Sequence, residues 1–465
     1  MKLKKLIGLV LSGVLIVSSV GCSSSNESSK NDKKIVVGCN LVPGEELLKA
    51  VKPLIEAEGY ELEVKVFNDY VLPNTALNDG ELDANLFQHK PYLDEAVKNK
   101  GYEIMAGSKL YVCPGVLYSK KIDFIEELKK GDKIAIVSLS WGGLGDAGLI
   151  HKYYIAKDRL EKDFGLTVVT MPNALKGTDF VYNHPELRAQ DLMEAFCDKS
   201  IKGIFCAIGG SDSIRLLPYI DYDVIHDNPK IFMGYSDTTV SHFVMRKAGI
   251  VSYYGPSVMC EFGEYVKMFD YTKEAVENIL FKDTAGYEVK PSKYWSDDFV
   301  NWEEKNINHL KKLREDEHGY EVINGSGIIS GELIGGCIDV FPIITGTEIW
   351  PDASEWKEKI LLIETSEDKA KPDYILYYLR NLGAQGILQE INGIIVGKPQ
   401  DEVYYEEYKK VYKKIVKEFN CEHLGIIYNV NIGHAAPMGL LPLGIEYQID
   451  LDNKKICFKE SGVNI

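Results

Sequence analysis

A glycine turn that carries serine, set between a strand-like run and a helix-like run, constrains this chain more than any other feature. The turn is residues 209–213, Gly-Gly-Ser-Asp-Ser; it follows the apolar run 203–208 and precedes the run 214–219. A strand that turns sharply into a helix through glycines holds a serine hydroxyl clear of the backbone and points free N–H groups beside it. Such a turn suits a serine nucleophile, although the same pattern also occurs in ordinary turns and phosphate-binding loops.

Strand-like and helix-like runs alternate along much of the chain and predict an α/β fold. They predict a small βαβ lobe over residues 34–132 and a second α/β lobe over residues 133–285. Short apolar runs bounded by glycines predict a β-rich lobe over residues 325–465, with one clear helix at 371–382. The polar, charge-rich segment 286–324 is predicted to connect the last two lobes.

The N-terminus predicts export and membrane attachment. Lysines followed by an apolar run make residues 1–21 a signal peptide that is too short for a comfortable transmembrane helix. The tetrapeptide that ends at Cys22 resembles the lipobox of bacterial lipoproteins, and this resemblance implies a lipid on the Cys22 sulfur. Residues 22–33 are predicted to be a flexible tether. We therefore expect a lipid-anchored protein on the extracytoplasmic face of the cell membrane; a plain secretory signal is the alternative.

Charge and cysteine usage narrow the classes of partner and cofactor. The net charge of −16 argues against nucleic acid as a partner, because its phosphates would be repelled. The cysteines after the signal form no CxxC pair and no Cys/His cluster with zinc-ligand spacing. We expect neither a metal nor an organic cofactor.

The first lobe resembles part of the methionine-binding lipoproteins of the NlpA/MetQ type. Residues 64–74 and 77–93 carry the resemblance, which implies that Phe87, Gln88 and His89 line an amino-acid cleft. Most of the second lobe of such a binder is missing, and a cleft with one wall cannot bury most of its ligand. We expect little affinity for methionine, and His89 is alternatively a packing or surface residue.

Two further residues supply the chemistry that a nucleophilic serine needs. Glu364 ends an apolar strand-like run, and His434 lies in a loop of glycine and small residues after another run. A serine requires a base to take its proton, and the base requires a carboxylate to fix its tautomer and stabilise its charge. The chain order Ser, Glu, His is also the order in α/β-hydrolases.

Six ordered blocks resemble a family of serine carboxypeptidases that contains the muropeptide LD-carboxypeptidases and the microcin C immunity (MccF-type) peptidases. The blocks are residues 204–221, 234–238, 255–256, 331–336, 361–364 and 431–435. The resemblance implies Ser213 as nucleophile, with Ser211 as the competing serine, His434 as base and Glu364 as its orienting acid. It also implies that the α/β lobe carries the serine and the β-rich lobe carries the other two. Cys337 stands where the family usually has Asn.

Other residues are expected around the reacting atoms. The amides of Ile214 and Gly210 are the predicted oxyanion donors. Ser236 and Asp237 are predicted to line the substrate pocket or, alternatively, to cap the helix that begins near Thr238.

Two tryptophans stand out in the polar connector. Trp295 and Trp302 offer flat surfaces for stacking on a nucleobase, as in MccF-type members of the family, or else pin the connector to the body of the protein.

Together these patterns predict a serine carboxypeptidase that works through an acyl-enzyme. Its expected partner is a small peptide or a peptidyl-nucleotide substrate: either the L,D bond of a wall tetrapeptide or a peptidyl-aminoacyl nucleotide conjugate. The alternatives are a methionine-binding transporter lipoprotein and an inactive fusion. Homodimer formation is left open.

Overall fold

The computed structural model describes residues 33–107 and 125–463 and divides the chain into two compact units, residues 1–118 and 119–465. The predicted signal peptide, Cys22 and nearly all of the tether lie outside the described residues. None of the helices in the described ranges is long and apolar enough to cross a membrane.

The first unit is a small parallel α/β layer. Its strands and helices are β1 (Lys34–Asn40), α1 (Glu46–Ala57), β2 (Glu61–Phe67), α2 (Leu72–Asn78), β3 (Ala84–Leu86) and α3 (Lys90–Lys100). The sheet order is β2-β1-β3, with all pairs parallel. Its core is small and is built on Val37, Cys39, Leu48 and Leu62. The predicted βαβ order is therefore present.

The three predicted cleft residues of the first unit serve its internal packing. Phe87 is buried, with Tyr70 and Tyr92 beside its ring. Gln88 exchanges hydrogen bonds with the side chain of buried Asn74, at 2.6 and 2.8 Å. His89 caps α3, because its Nδ1 accepts a hydrogen bond from the Tyr92 amide at 3.1 Å. The packing alternative given for His89 thus describes its contacts in the structure.

The second unit contains two sheets and the helices that cover them. Its strands are β4 (Lys133–Val137), β5 (Thr167–Thr170), β6 (Ile201–Cys206), β7 (Ile231–Gly234), β8 (Ser252–Tyr254), β9 (Glu288–Val289), β10 (Tyr294–Trp295), β11 (Arg314–Glu315), β12 (Glu321–Asn324), β13 (Ile328–Cys337), β14 (Ile360–Glu364), β15 (Gly393–Gly397), β16 (Gly425–Val430), β17 (Leu441–Leu443), β18 (Glu446–Asp450) and β19 (Lys455–Phe458). Its helices are α4 (Ile150–Lys162), α5 (Thr178–Asn183), α6 (Pro185–Cys197), α7 (Tyr222–His226), α8 (Thr239–Lys247), α9 (Asp270–Leu280), α10 (Phe341–Ile344), α11 (Pro372–Ala384), α12 (Ile387–Glu390) and α13 (Tyr405–Glu418).

The first sheet of this unit has the order β17-β8-β7-β6-β4-β5. All its pairs are parallel except the one between β17 and β8. Because β6, β7 and β8 are parallel neighbours, the turns that follow them meet at one edge of the sheet. This edge carries both the predicted serine turn and Ser236.

The second sheet has the order β12-β16-β15-β14-β13-β18-β19-β9. Its middle strands, β13 to β16, run parallel, so their carboxyl ends also share one edge. Cys337 and Glu364 are paired in register at the ends of β13 and β14. Both hydrophobic cores of the unit draw from both sheets: Phe232 packs in the same cluster as Leu361, and Met233 in the same cluster as Leu362.

The β-rich C-terminal lobe holds a second long helix besides the predicted one. This helix, α13 (Tyr405–Glu418), buries Tyr408, Val411, Tyr412 and Ile415. Those residues recur at three- and four-residue intervals, which is the spacing of one helix face. The sequence of this segment therefore has the spacing of an amphipathic helix, although its tyrosines and lysines make the segment look polar.

Candidate active site

The two residues predicted to act as base and acid are in direct contact. His434 Nδ1 lies 2.8 Å from Glu364 Oε2, and the His434 amide donates to the same oxygen at 3.2 Å. A Cβ on Gly433 would lie 2.2 Å from that oxygen, so only glycine fits beside the pair. Both side chains are buried, at 8% and 1% exposure. The carboxylate therefore holds the imidazole in one orientation, as an orienting acid must.

The other carboxylate oxygen of Glu364 connects the pair to the first sheet. Tyr254, at the end of β8, donates its hydroxyl to Glu364 Oε1 at 2.6 Å. The same hydroxyl accepts a hydrogen bond from the Ser236 amide at 3.2 Å. Burial and the neighbouring Glu364 raise the pKa of Tyr254 well above its usual value, so the phenol stays protonated and keeps donating. A continuous chain of hydrogen bonds thus joins the backbone of Ser236 to His434.

The outer nitrogen of the imidazole faces a second carboxylate. His434 Nε2 lies 3.0 Å from Glu367 Oε2, and the edge of the ring packs on Tyr235 with 5.0 Å between centroids. Burial lowers the pKa of His434, but Glu364 and Glu367 together outweigh burial and raise it to about 10. The hydrogen bond from His434 lowers the pKa of Glu367 to about 2. In this arrangement the imidazole is protonated at neutral pH.

Ser236 occupies a sharp turn between β7 and α8. Its φ angle is +62°, in the left-handed region that non-glycine residues rarely adopt. Such strain costs on the order of 1–3 kcal/mol and is concentrated at functional sites. Gly209 packs directly behind it, since a Cβ there would lie 2.7 Å from Ser236 Cβ and 2.8 Å from Ser236 Oγ. Ser236 lines the same cavity as His434.

Ser213 does not line that cavity. It is 1% exposed and begins a 3₁₀ turn rather than occupying a left-handed position. Its hydroxyl donates to the Asp237 carbonyl at 3.0 Å, and its amide donates to Asp237 Oδ2 at 2.9 Å. The predicted competitor, Ser211, is exposed and also lies outside the cavity lining.

Asp237, predicted to line the pocket, is buried beneath it. Its Oδ2 also accepts the hydroxyl of Ser140 at 2.6 Å. The side chain therefore ties the turn after β6 to the turn after β7. Of the two predicted oxyanion donors, Gly210 lines the cavity, whereas Ile214 packs against the hydrophobic core. The Asp237 amide lies at the first turn of a helix, 3.2 Å from the point that a Cβ on Gly209 would occupy.

The cavity itself has a volume of about 380 Å³ and combines aromatic walls with many carboxylates. Trp302, one of the two predicted tryptophans, stacks on Trp141 with 6.2 Å between ring centroids and 22° between planes. Trp295 is buried instead, with Lys398 Nζ 4.8 Å from its ring centroid. The two tryptophans therefore separate: Trp302 presents a face to the cavity, and Trp295 pins the connector.

The sequences of both units match known protein families. Residues 134–255 match the N-terminal domain of LD-carboxypeptidase and residues 330–449 match its C-terminal domain. The microcin C7 self-immunity protein MccF of Escherichia coli is 32% identical over 275 residues, which cover 59% of this chain and 78% of MccF. This chain belongs to the LD-carboxypeptidase family. It is a serine carboxypeptidase of that family, with an NlpA-like domain at its N-terminus.

The structures and the N-terminal relatives of this LD-carboxypeptidase agree with that assignment. The crystal structure of an MccF-like protein from Streptococcus pneumoniae in complex with AMP superposes with a TM-score of 0.65 and 34% identity, covering 70% of this chain and 98% of that one. Residues 35–139 match the NlpA lipoprotein family. D-methionine-binding lipoprotein MetQ of Salmonella typhi is 41% identical over 123 residues, which are 26% of this chain and 45% of MetQ. The N-terminal match therefore spans less than half of that relative.

Three residues at the site of this LD-carboxypeptidase were not predicted from the sequence. Trp141, Tyr254 and Glu367 reach the cavity or its acid from three separate segments. Tyr254 ends a strand-like run, and Glu367 follows Glu364 by three residues. These positions alone only weakly indicate that the two residues belong to the site. Their contacts are decided by long-range packing, which no local pattern encodes.

The thiol of Cys337 lies beside the acid and base. Cys337 Sγ, a Glu364 oxygen and a His434 nitrogen all lie within 4.8 Å of one another. Among the residues that the structure describes, these three are grouped closely enough to hold a metal ion. Burial and Glu364 raise the pKa of the Cys337 thiol well above its usual value. Cysteine binds metal ions as the thiolate, so the protonated thiol is better suited to hydrogen bonding with the carboxylate.

Proposed function

We propose that Ser236, His434 and Glu364 form the catalytic triad of this carboxypeptidase. The observation that carries the proposal is the left-handed backbone of Ser236 on a strand-to-helix turn that opens into the same cavity as His434. A serine on a strained turn of this kind presents its hydroxyl at the top of a sheet. The base already has its orienting carboxylate at 2.8 Å.

This triad replaces the predicted nucleophile Ser213 with Ser236. A nucleophile must reach a substrate, and the buried hydroxyl of Ser213 is engaged with the Asp237 carbonyl. Ser213 supports the turn that carries Ser236, because both its amide and its hydroxyl bond to the residue that follows Ser236. The predicted roles of His434 and Glu364 are kept.

The reaction follows from this geometry. His434 Nε2 takes the proton of Ser236 Oγ as the oxygen attacks the scissile carbonyl, and the tetrahedral oxyanion forms. The amides of Asp237 and Gly210 are the proposed oxyanion donors, since Asp237 follows Ser236 in the chain and Gly210 lines the same cavity as Ser236. Collapse of the intermediate breaks the bond to the leaving nitrogen, which receives the proton from His434. Water then attacks the acyl-enzyme with His434 as base and regenerates Ser236.

The substrate is proposed to be a small peptide or a peptidyl-aminoacyl nucleotide conjugate cleaved near a free carboxylate. The stacked pair Trp141 and Trp302 supports a conjugate, because it offers a flat aromatic face beside His434. The similar Streptococcus pneumoniae protein was crystallised with AMP. The L,D bond of a wall tetrapeptide is the other substrate, and it is favoured by a location outside the membrane.

The location is proposed from the N-terminus. The NlpA-like domain supports a lipid-anchored protein on the extracytoplasmic face, and Cys22 is the proposed anchor. Metabolic labelling with a fatty acid tests this: the wild-type chain should incorporate label and Cys22→Ala should not. Label retained by that variant places the lipid elsewhere.

Covalent labelling tests the proposed nucleophile directly. A fluorophosphonate reagent, which reacts with activated serines, should modify the full-length protein once, and peptide mapping should place the adduct on Ser236. The variant Ser236→Ala should not react, whereas Ser213→Ala should react normally. An adduct on Ser213 would return the nucleophile to the sequence-based choice.

A further inference from the structure

The carboxylates that line the catalytic cavity differ in what neutralises them. Most of these carboxylates form an ion pair with a side chain that takes no part in the proposed reaction. The pairs are Glu264 with Lys311 at 2.7 Å, Asp297 with Arg314 at 2.7 Å, Asp401 with Lys369 at 2.6 Å and Asp298 with His309 at 3.0 Å. The three that pair with lysine or arginine carry little uncompensated charge toward a substrate, and Asp298 also accepts a hydrogen bond from the Lys312 amide at 2.9 Å.

The other two lining carboxylates, Glu261 and Glu367, have no lysine or arginine partner within the described ranges, and they differ from each other. Glu261 is half-buried and accepts hydrogen bonds from the Ser257 amide at 2.8 Å and the Tyr235 hydroxyl at 3.2 Å. Burial raises its pKa. Glu367 is 66% exposed, and among the described residues its ion-pair partner is His434 alone. Glu367 thus presents a full negative charge at the cavity.

That partner cannot stay charged during catalysis. A base accepts a proton only when neutral, and it must turn its Nε2 toward Ser236 rather than toward Glu367. The groups that face His434 are the carboxylates of Glu364 and Glu367, the Tyr235 ring and the Cys337 thiol. None of these is a cation. Once His434 is neutral, Glu367 is left without a positive partner beside the reacting atoms.

We propose that Glu367 is a specificity-determining residue that binds a cationic side chain of the substrate, an ammonium or guanidinium on the residue that carries the scissile carbonyl. The inference rests on the proposed function, since it places the substrate at Ser236 and His434. A substrate cation takes the carboxylate away from Nε2 and frees the base, so binding and activation are coupled. A substrate with an acidic side chain is repelled by the unneutralised carboxylate of Glu367 and is disfavoured.

Three substrates whose side chains are positive, neutral and negative test this. Lysyl-, norleucyl- and glutamyl-sulfamoyl adenosine share one scaffold, and kcat/KM for release of the amino acid is compared in the full-length protein. We expect the wild type to prefer the lysyl over the glutamyl compound by at least about tenfold, with the norleucyl compound between them. Glu367→Gln should reduce this ratio to within about threefold, and Glu367→Lys should reverse it. Asp368→Asn, a change at the exposed neighbouring carboxylate, is the matched control and should keep the wild-type ratio.

A second readout needs no substrate. The rate of fluorophosphonate labelling of Ser236 depends on neutral His434, so its rising limb with pH should move to lower pH in Glu367→Gln. Equal cleavage of the three compounds by the wild type, or an unchanged labelling profile in Glu367→Gln, overturns the inference and leaves the triad standing. A wild-type protein that neither cleaves these compounds nor labels at Ser236 overturns the proposed function and the inference with it.

Discussion

The turns after β6 and β7 look alike in sequence and differ in the structure. Each follows a buried parallel strand, contains a serine and enters a helical turn. The first buries Ser213 against Asp237. The second holds Ser236 in a left-handed conformation at the mouth of a cavity. Gly209 of the first turn makes room for Ser236 of the second.

This contrast teaches that a glycine-rich turn can support a neighbouring turn without itself carrying the serine that lines the cavity; in the proposed triad that serine is the nucleophile. Gly209 lies so close to Ser236 that any side chain there would displace the hydroxyl. Asp237 of the second turn then ties the two turns together by accepting from the Ser213 amide, and it also accepts from Ser140 after β4. Four experiments, in order of falling effect, divide the roles of the two turns.

The largest effect is expected from Ser236→Ala. Removal of the attacking oxygen should lower kcat by on the order of 10⁴-fold or more, with little change in thermal stability. Steady-state hydrolysis of a tetrapeptide and of an aminoacyl-sulfamoyl adenosine measures it. Activity within tenfold of the wild type would assign the nucleophile to another residue.

Gly209→Ala should have the next largest effect. A methyl group 2.7 Å from Ser236 Cβ must shift the nucleophile, and a misplacement of this size costs on the order of 10²-fold in kcat. Gly148→Ala is the matched control, because a Cβ there meets no atom within 4 Å. If both variants retain wild-type kcat, the first turn does not shape the second.

The pH dependence of kcat/KM should show a third, smaller effect. The carboxylates of Glu364 and Glu367 raise the pKa of His434 to about 10 in the free enzyme. The base is inactive while protonated, so kcat/KM should increase with pH through the neutral range, by up to about tenfold per unit. A plateau already reached at pH 7 would mean that His434 is less strongly paired in solution.

Ser213→Ala should change least. It removes one buried hydrogen bond to the Asp237 carbonyl and should lower the free energy of unfolding by about 1 kcal/mol. We expect kcat to stay within about threefold of the wild type, because the Ser213 amide still holds Asp237 Oδ2. Chemical denaturation and kinetics measure the two parts. A loss as large as that of Ser236→Ala contradicts the division of roles between the turns.

The acid and the base could be proposed from the sequence because each lies in a recognisable local pattern. Glu364 is a charge that ends a buried strand, and His434 follows a glycine required by the carboxylate beside it. Carboxyl ends of parallel strands share an edge, so their proximity was predictable. Ser236 was also noticed as a pocket residue or cap. Its left-handed backbone had no signal in the sequence, because serine rarely adopts that conformation.

By itself, the alternation of apolar runs and glycine breaks determined the α/β class, and the ordered sequence blocks determined the serine carboxypeptidase family. Only the tertiary structure decided that Ser236 rather than Ser213 lines the cavity of His434, that Trp302 stacks on Trp141 while Trp295 is buried, and that Glu367 contacts His434. The physical reason is the distance along the chain over which each kind of interaction acts. Periodicity and turn residues act over a few neighbours, whereas these contacts join segments that come together only when both sheets pack against each other.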